Sequence, residues 1–103
     1  MALREHLDYQ KVEFDYSPSP DQVATTPTTH PLVIVGAGPV GLALAIDLAQ
    51  RGQPVLLLDN DHRLSSGSRA ICFAKRTLEI FDRLGVGHRA ASRGVSWSVG
   101  RVF

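Results

Sequence analysis

The sequence predicts an α/β fold centred on one parallel βαβ unit, and three observations predict it. Two short apolar runs, "LVIVG" at residues 32–36 and "PVLLLDN" at 54–60, are of the kind that suits strands buried on both faces. Between them residues 39–51 repeat apolar side chains at helical spacing. Three glycines, Gly36, Gly38 and Gly41, mark the junction of the first strand with that helix. Strand, helix and strand fit in under thirty residues, so the strands should run parallel with a right-handed crossover. This is a Rossmann-like dinucleotide-binding unit, followed by one more helix and one more strand.

Each element has its own signal. Residues 1–31 carry "YSPSPDQVATTPTTHP", rich in Pro, Ser and Thr and without sustained period. Such a stretch buries too little apolar surface to offset its ordering entropy, so 1–31 reads as a disordered leader. Order begins at Leu32. In the helix, Leu42, Ala43, Ala45, Ile46 and Ala49 form the apolar stripe, widened by Leu44 and Leu48. Pro39 is tolerated in a first helical turn, and Gly52 supplies the stop. Residues 61–69, "DHRLSSGSR", read as loop. Residues 74–85 form an amphipathic helix with Leu78, Phe81 and Leu84 inward, broken by Gly85 and Gly87. A helical turn follows at 88–92. Residues 94–103 alternate Val95, Trp97 and Val99 and read as a strand.

Composition excludes several classes. The 103 residues, with 44% hydrophobic side chains and net charge +1, describe one soluble domain with no global pull toward nucleic acid or a charged membrane. Residues 1–61 hold three basic and eight acidic side chains, and residues 62–103 hold eight basic and two acidic ones. That asymmetry reads as a solvated surface, because no aromatics alternate with Arg69, Arg76 and Arg83 as a single-strand binder needs. No apolar run reaches membrane-spanning length and no signal peptide is visible, so a cytoplasmic setting is expected. The single cysteine, Cys72, allows no internal disulfide and reads as a buried, inert thiol between Ile71 and Phe73. The four histidines show no metal-ligand spacing, so no metal site is expected. No nucleophile–base pair can be named, and the catalytic residues are unknown.

The glycines point to a nucleotide. Gly36 permits a tight turn, Gly38 leaves the backbone open to a pyrophosphate, and Gly41 lets helix and sheet approach. The helix start presents unpaired N–H groups and the positive end of its dipole to phosphates. Asp59 stands twenty-three residues after Gly36, at the end of the second strand. A carboxylate there can accept hydrogen bonds from both hydroxyls of an adenosine ribose, and it repels a 2′-phosphate, which argues against NADP. The expected cofactor-binding set is Gly36, Ala37, Gly38, Pro39, Val40, Gly41, Asp59, Asn60, Arg69 and Ala70. The residues alone leave NAD and FAD both open.

The run "VIVGAGPVGLALAIDLAQRGQPVLLLDND", with "GSRAICFAKRTLEIFDRLG" and "GVSWSVGRVF" after it, resembles the start of the FAD-dependent aromatic hydroxylases. These flavoprotein monooxygenases include relatives of p-hydroxybenzoate hydroxylase. The resemblance covers residues 32–103, and its more specific part is "SRA" ahead of a helix ending in "RLG". It implies the N-terminal part of an FAD-binding domain, incomplete by itself. The family's later Asp-Gly and Gly-Asp motifs are not in this sequence. It implies FAD on Gly36, Gly38 and Gly41, with the adenosine ribose on Asp59, where the family more often has Glu. Arg69 would reach the cofactor from its loop. The whole enzyme would draw on NAD(P)H and O₂ to hydroxylate a small aromatic substrate. Two other readings stand beside this one: a non-catalytic nucleotide-binding fragment or half of a split enzyme, and the cofactor domain of an NAD-dependent dehydrogenase. Strands this apolar need cover on both faces, so these residues alone should expose apolar surface or find it in the enzyme's remainder or another chain.

Overall fold

The computed structural model describes residues 12–64 and 72–102. The chain divides into two compact units, Met1–Arg69 and Ala70–Phe103.

The first unit is built on a two-stranded parallel sheet. β1 is Val33–Val35 and β2 is Leu56–Leu58, paired Val33 with Leu56, Ile34 with Leu57 and Val35 with Leu58. The ladder extends one bond past each end. The Leu56 N–H donates to the Leu32 carbonyl at 3.0 Å, and the Gly36 N–H donates to the Leu58 carbonyl at 2.7 Å. The connecting helix runs Pro39–Gln50 and carries Pro at its start, where a missing N–H costs nothing. At its end the Gln53 N–H reaches the Leu48 carbonyl and the Gly52 N–H reaches the Ala49 carbonyl, both at 2.9 Å. That double bond pattern is a Schellman cap, and it needs the left-handed backbone that Gly52 supplies at φ 76°.

Residues 12–31, to which the sequence reading assigned no element, hold local order. A one-turn helix, α1, spans Pro20–Val23, and we number the connecting helix Pro39–Gln50 α2. The Ser19 N–H donates to Gln22 Oε1 at 2.7 Å, half of a capping box. Asp21 accepts the Thr28 N–H at 2.9 Å and lies 2.8 Å from His30 Nε2. Earlier, Glu13 pairs with Arg63 in an isolated antiparallel bridge. Composition reads 1–31 as a disordered leader; within residues 12–31 the structure shows side-chain caps and one non-local backbone pairing, neither of which leaves a periodic trace.

The second unit holds two helices, α3 (Lys75–Arg83) and α4 (Gly87–Arg93). α3 ends in the same cap as α2: Val86 N–H to the Phe81 carbonyl and Gly85 N–H to the Asp82 carbonyl, both at 2.9 Å. Leu84 is the buried hydrophobic residue here, at 5% exposure, with Leu78 and Phe81 half-buried beside it. A side chain at Gly87 would stand 2.5 Å from the Asp82 Cα, so the two helices approach closely there.

Two expectations need correction. Residues 94–102 form no strand: Val95, Trp97, Val99 and Val102 are all exposed. Alternation marks a chain that can join a sheet, and among the described residues no partner pairs with it. Cys72 is exposed, not buried, and Phe73 beside it is exposed as well. Local apolar neighbours did not translate into cover. Among the described residues, no helix is long and apolar enough to cross a membrane.

Candidate functional site

The glycine turn is fixed by a clash that only glycine avoids. A Cβ at position 41 would overlap the Gly36 carbonyl oxygen and come within 3.5 Å of Ile34 Cγ2. The first turn of α2 therefore sits directly against the end of β1. Gly36 itself turns at φ 104°, a region closed to most side chains. Gly38 is different: its backbone is extended, and a Cβ there would meet nothing within 4 Å. The space in front of Gly38 is open, so its backbone can be approached there.

Gly38 is also the N-cap of α2, and no side chain caps it. The first intrahelical bond runs from the Leu42 N–H to the Gly38 carbonyl at 2.9 Å. Pro39 has no N–H. The N–H groups of Gly38, Val40 and Gly41 thus precede the helical ladder and meet no acceptor among the described residues. Three unpaired donors at the positive end of a helix dipole present chemistry that favours an anion.

Asp59 follows β2 and reaches back to the turn. Its Oδ2 accepts the Ala37 N–H at 2.6 Å, and its Oδ1 accepts the Asp61 N–H at 2.7 Å. These bonds hold its carboxyl below the ordinary 3.8, the Ala37 N–H contributing most, with a smaller contribution from the Asn60 N–H. An ionised carboxylate offers about four lone-pair sites, so acceptor capacity remains on the exposed side chain. The unpaired donors and the open approach at Gly38, with a carboxylate beyond them, fit a ligand that carries phosphate at one point and hydroxyls at another.

Gly36, Ala37, Gly38, Pro39, Val40, Gly41, Asp59 and Asn60 all belong to this β1–α2–β2 junction. Arg69 and Ala70 lie outside the described residues. Sequence reasoning missed Asp61, whose N–H fixes the second oxygen of Asp59. The signal was present in "DND", since Asp side chains bond the backbone two residues on. An open apolar groove lined by Ala45, Ile46, Ala49, Pro54, Val55 and Leu57 shares no residue with the junction.

Fold and junction define the class: a small α/β protein in which a parallel strand pair feeds a glycine-rich helix start. The FAD binding domain family matches residues 29–103, and the chain belongs to that family. Among its relatives is a flavin-dependent monooxygenase of Mycobacteroides abscessus, 40% identical over 70% of this chain and 15% of its own length. A para-nitrophenol 4-monooxygenase of a Pseudomonas species is 34% identical over 66% of this chain and 17% of its own. A bifunctional protein of 5-methylaminomethyl-2-thiouridine biosynthesis in tRNA, from Marinobacter nauticus, is 43% identical over 66% of this chain and 10% of its own. The chain therefore spans between a tenth and a fifth of the length of these relatives. No solved structure matches it.

Proposed function

We propose that the β1–α2–β2 junction holds the ADP half of FAD in a flavin-dependent monooxygenase. The observation that carries the reading is the Asp59–Ala37 bond at 2.6 Å, which draws the acid at the end of β2 onto the glycine turn. It brings a carboxylate acceptor beside the unpaired N–H groups of the helix start, which supports the reading. The Gly38, Val40 and Gly41 N–H groups would receive the pyrophosphate. Asp59, with Asn60 beside it, would take the ribose hydroxyls, and its charge would turn away a 2′-phosphate. Arg69 and Ala70 would complete the set, a guanidinium being suited to a phosphate. Bound FAD would supply redox chemistry that uses NAD(P)H and O₂ to hydroxylate a small aromatic substrate. The relatives named as monooxygenases of para-nitrophenol and rifampicin support that reaction class. We place the enzyme in the cytoplasm, and expect its substrate-binding surface on protein other than the βαβ unit.

The test is cofactor identity. Purify the intact protein, release its ligand with acid and separate the extract by chromatography. FAD is expected at up to one equivalent, with NADP failing to compete when added in excess. NAD in place of FAD would move the protein to the dehydrogenases.

A further inference from the structure

The segment ahead of β1 lies largely outside the family match, which begins at residue 29, yet it touches the loop that follows β2. The Phe14 N–H donates to the His62 carbonyl at 2.8 Å and the Leu64 N–H donates to the Val12 carbonyl at 3.1 Å. These two bonds flank the Glu13–Arg63 pair, whose side chains stand 4.0 Å apart. The bridge is thus a short antiparallel ladder, reinforced by opposite charges.

What the ladder holds is the more telling observation. The Arg63 N–H donates to Asp61 Oδ1 at 3.2 Å, the Asp61 N–H donates to Asp59 Oδ1 at 2.7 Å, and Asp59 Oδ2 accepts the Ala37 N–H at 2.6 Å. A continuous run of hydrogen bonds leads from the bridge to the glycine turn. The other end of the segment is closed independently: Asp21 gathers the Thr28 N–H and His30, two residues before Leu32. Residues 12–31 therefore carry α1 between two fastenings, Asp21 with Thr28 and His30 near β1 and residues 12–14 with 62–64 just beyond β2.

We propose that residues 12–31 are a positioning strap for the adenosine end of the cofactor site. By fastening 62–64, the strap orders the turn at Asp61 and so fixes the Asp59 carboxylate before any ligand arrives. Ordering a turn costs conformational entropy, and a turn ordered in advance spares the ligand that cost. Its effect on a nucleotide rests on the FAD reading; its effect on the turn does not.

Hydrogen–deuterium exchange and ADP titration separate the two. Compare the intact protein with a variant lacking residues 1–16 and with Phe14→Pro, which removes the donor to His62 and restricts the backbone at Glu13, with Phe14→Ala as the control that keeps the donor. The deletion and Phe14→Pro should exchange faster in peptides covering 59–64, with α2 protected as before. ADP binding should weaken about three- to tenfold, the worth of one net hydrogen bond. Unchanged exchange at 59–64 would overturn the strap. Equal loss of protection along α2 would make it general fold support and overturn the positioning role, as would faster exchange with unaltered ADP affinity. An intact protein that binds no ADP sinks the FAD reading and with it the strap's effect on ligand, while exchange at 59–64 still decides whether the strap orders the turn.

Discussion

The two units use opposite kinds of helix. α2, "PVGLALAIDLAQ", carries one charged side chain, Asp47, which meets Arg51 at 3.3 Å. α3, "KRTLEIFDR", is charged at most positions, and its Glu79 lies between Arg76 at 3.3 Å and Lys75 at 4.0 Å. α3 needs one apolar stripe covered, and its unit covers it at Leu84. α2 and the strands have apolar groups on more than one side, and they remain open: Val35 is 83% exposed, and Val33, Leu42 and Leu44 are exposed too. A parallel strand pair of this composition expects layers on both faces. The βαβ elements thus have the pattern of a sheet interior, and α3 that of a surface helix. Exposed apolar area of this kind is a common mark of an interaction surface.

Substitutions at the two tightest glycines would sharpen that comparison. Gly41→Ala should cause the largest loss, about 3 kcal/mol of stability, because its Cβ meets backbone that cannot yield. The melting temperature reads it, and an unshifted melt would mean that α2 does not pack on β1 as described. Gly87→Ala should cost less, about 1–2 kcal/mol, since α4 is short and can slide on α3. Gly38→Ala breaks the pattern deliberately. The fold has room for the methyl group, so the melt should hold while ADP affinity drops about tenfold. A falling melt with intact affinity would reassign Gly38 to the fold.

Acid should act on the first unit through Asp59. Its folded value lies below the ordinary 3.8, so the stabilisation from the Ala37 bond is complete above that pH and disappears as pH falls through the lower folded value. Asp21, held at about 2 by His30 and the Thr28 N–H, should lose its contacts between 3.8 and about 2 in the same direction. Backbone amide shifts of Ala37 and Thr28 across that range report each group, and the absence of a transition below pH 3.8 at either amide would contradict the account of its carboxylate. The smallest effect belongs to α3: Glu79→Ala should cost about 0.3–0.5 kcal/mol, and less in high salt.

The parts legible in the sequence were those set by local chemistry. Short continuous apolar runs placed β1 and β2, proline and glycine bounded α2, and the spacing from Gly36 to Asp59 brought the acid to the turn. The parts that escaped depend on distant partners. Glu13 finds Arg63 fifty residues away, which no window of composition registers. The alternation at Val95, Trp97 and Val99 states only that a strand could form there, and the partner decides. Cys72 failed for a related reason, since flanking Ile71 and Phe73 say nothing about which elements cover the site.

The central claim is that the glycine turn and Asp59 act as one nucleotide site. Calorimetric titration of the intact protein and of Asp59→Ala with ADP and with inorganic pyrophosphate tests it most directly. Loss of the carboxylate removes both the ribose acceptor and the bond that fixes Ala37. ADP should therefore weaken roughly tenfold or more, and pyrophosphate, which has no ribose, should weaken by a smaller but measurable factor. Unchanged dissociation constants for both ligands would contradict the account and leave Asp59 outside the site.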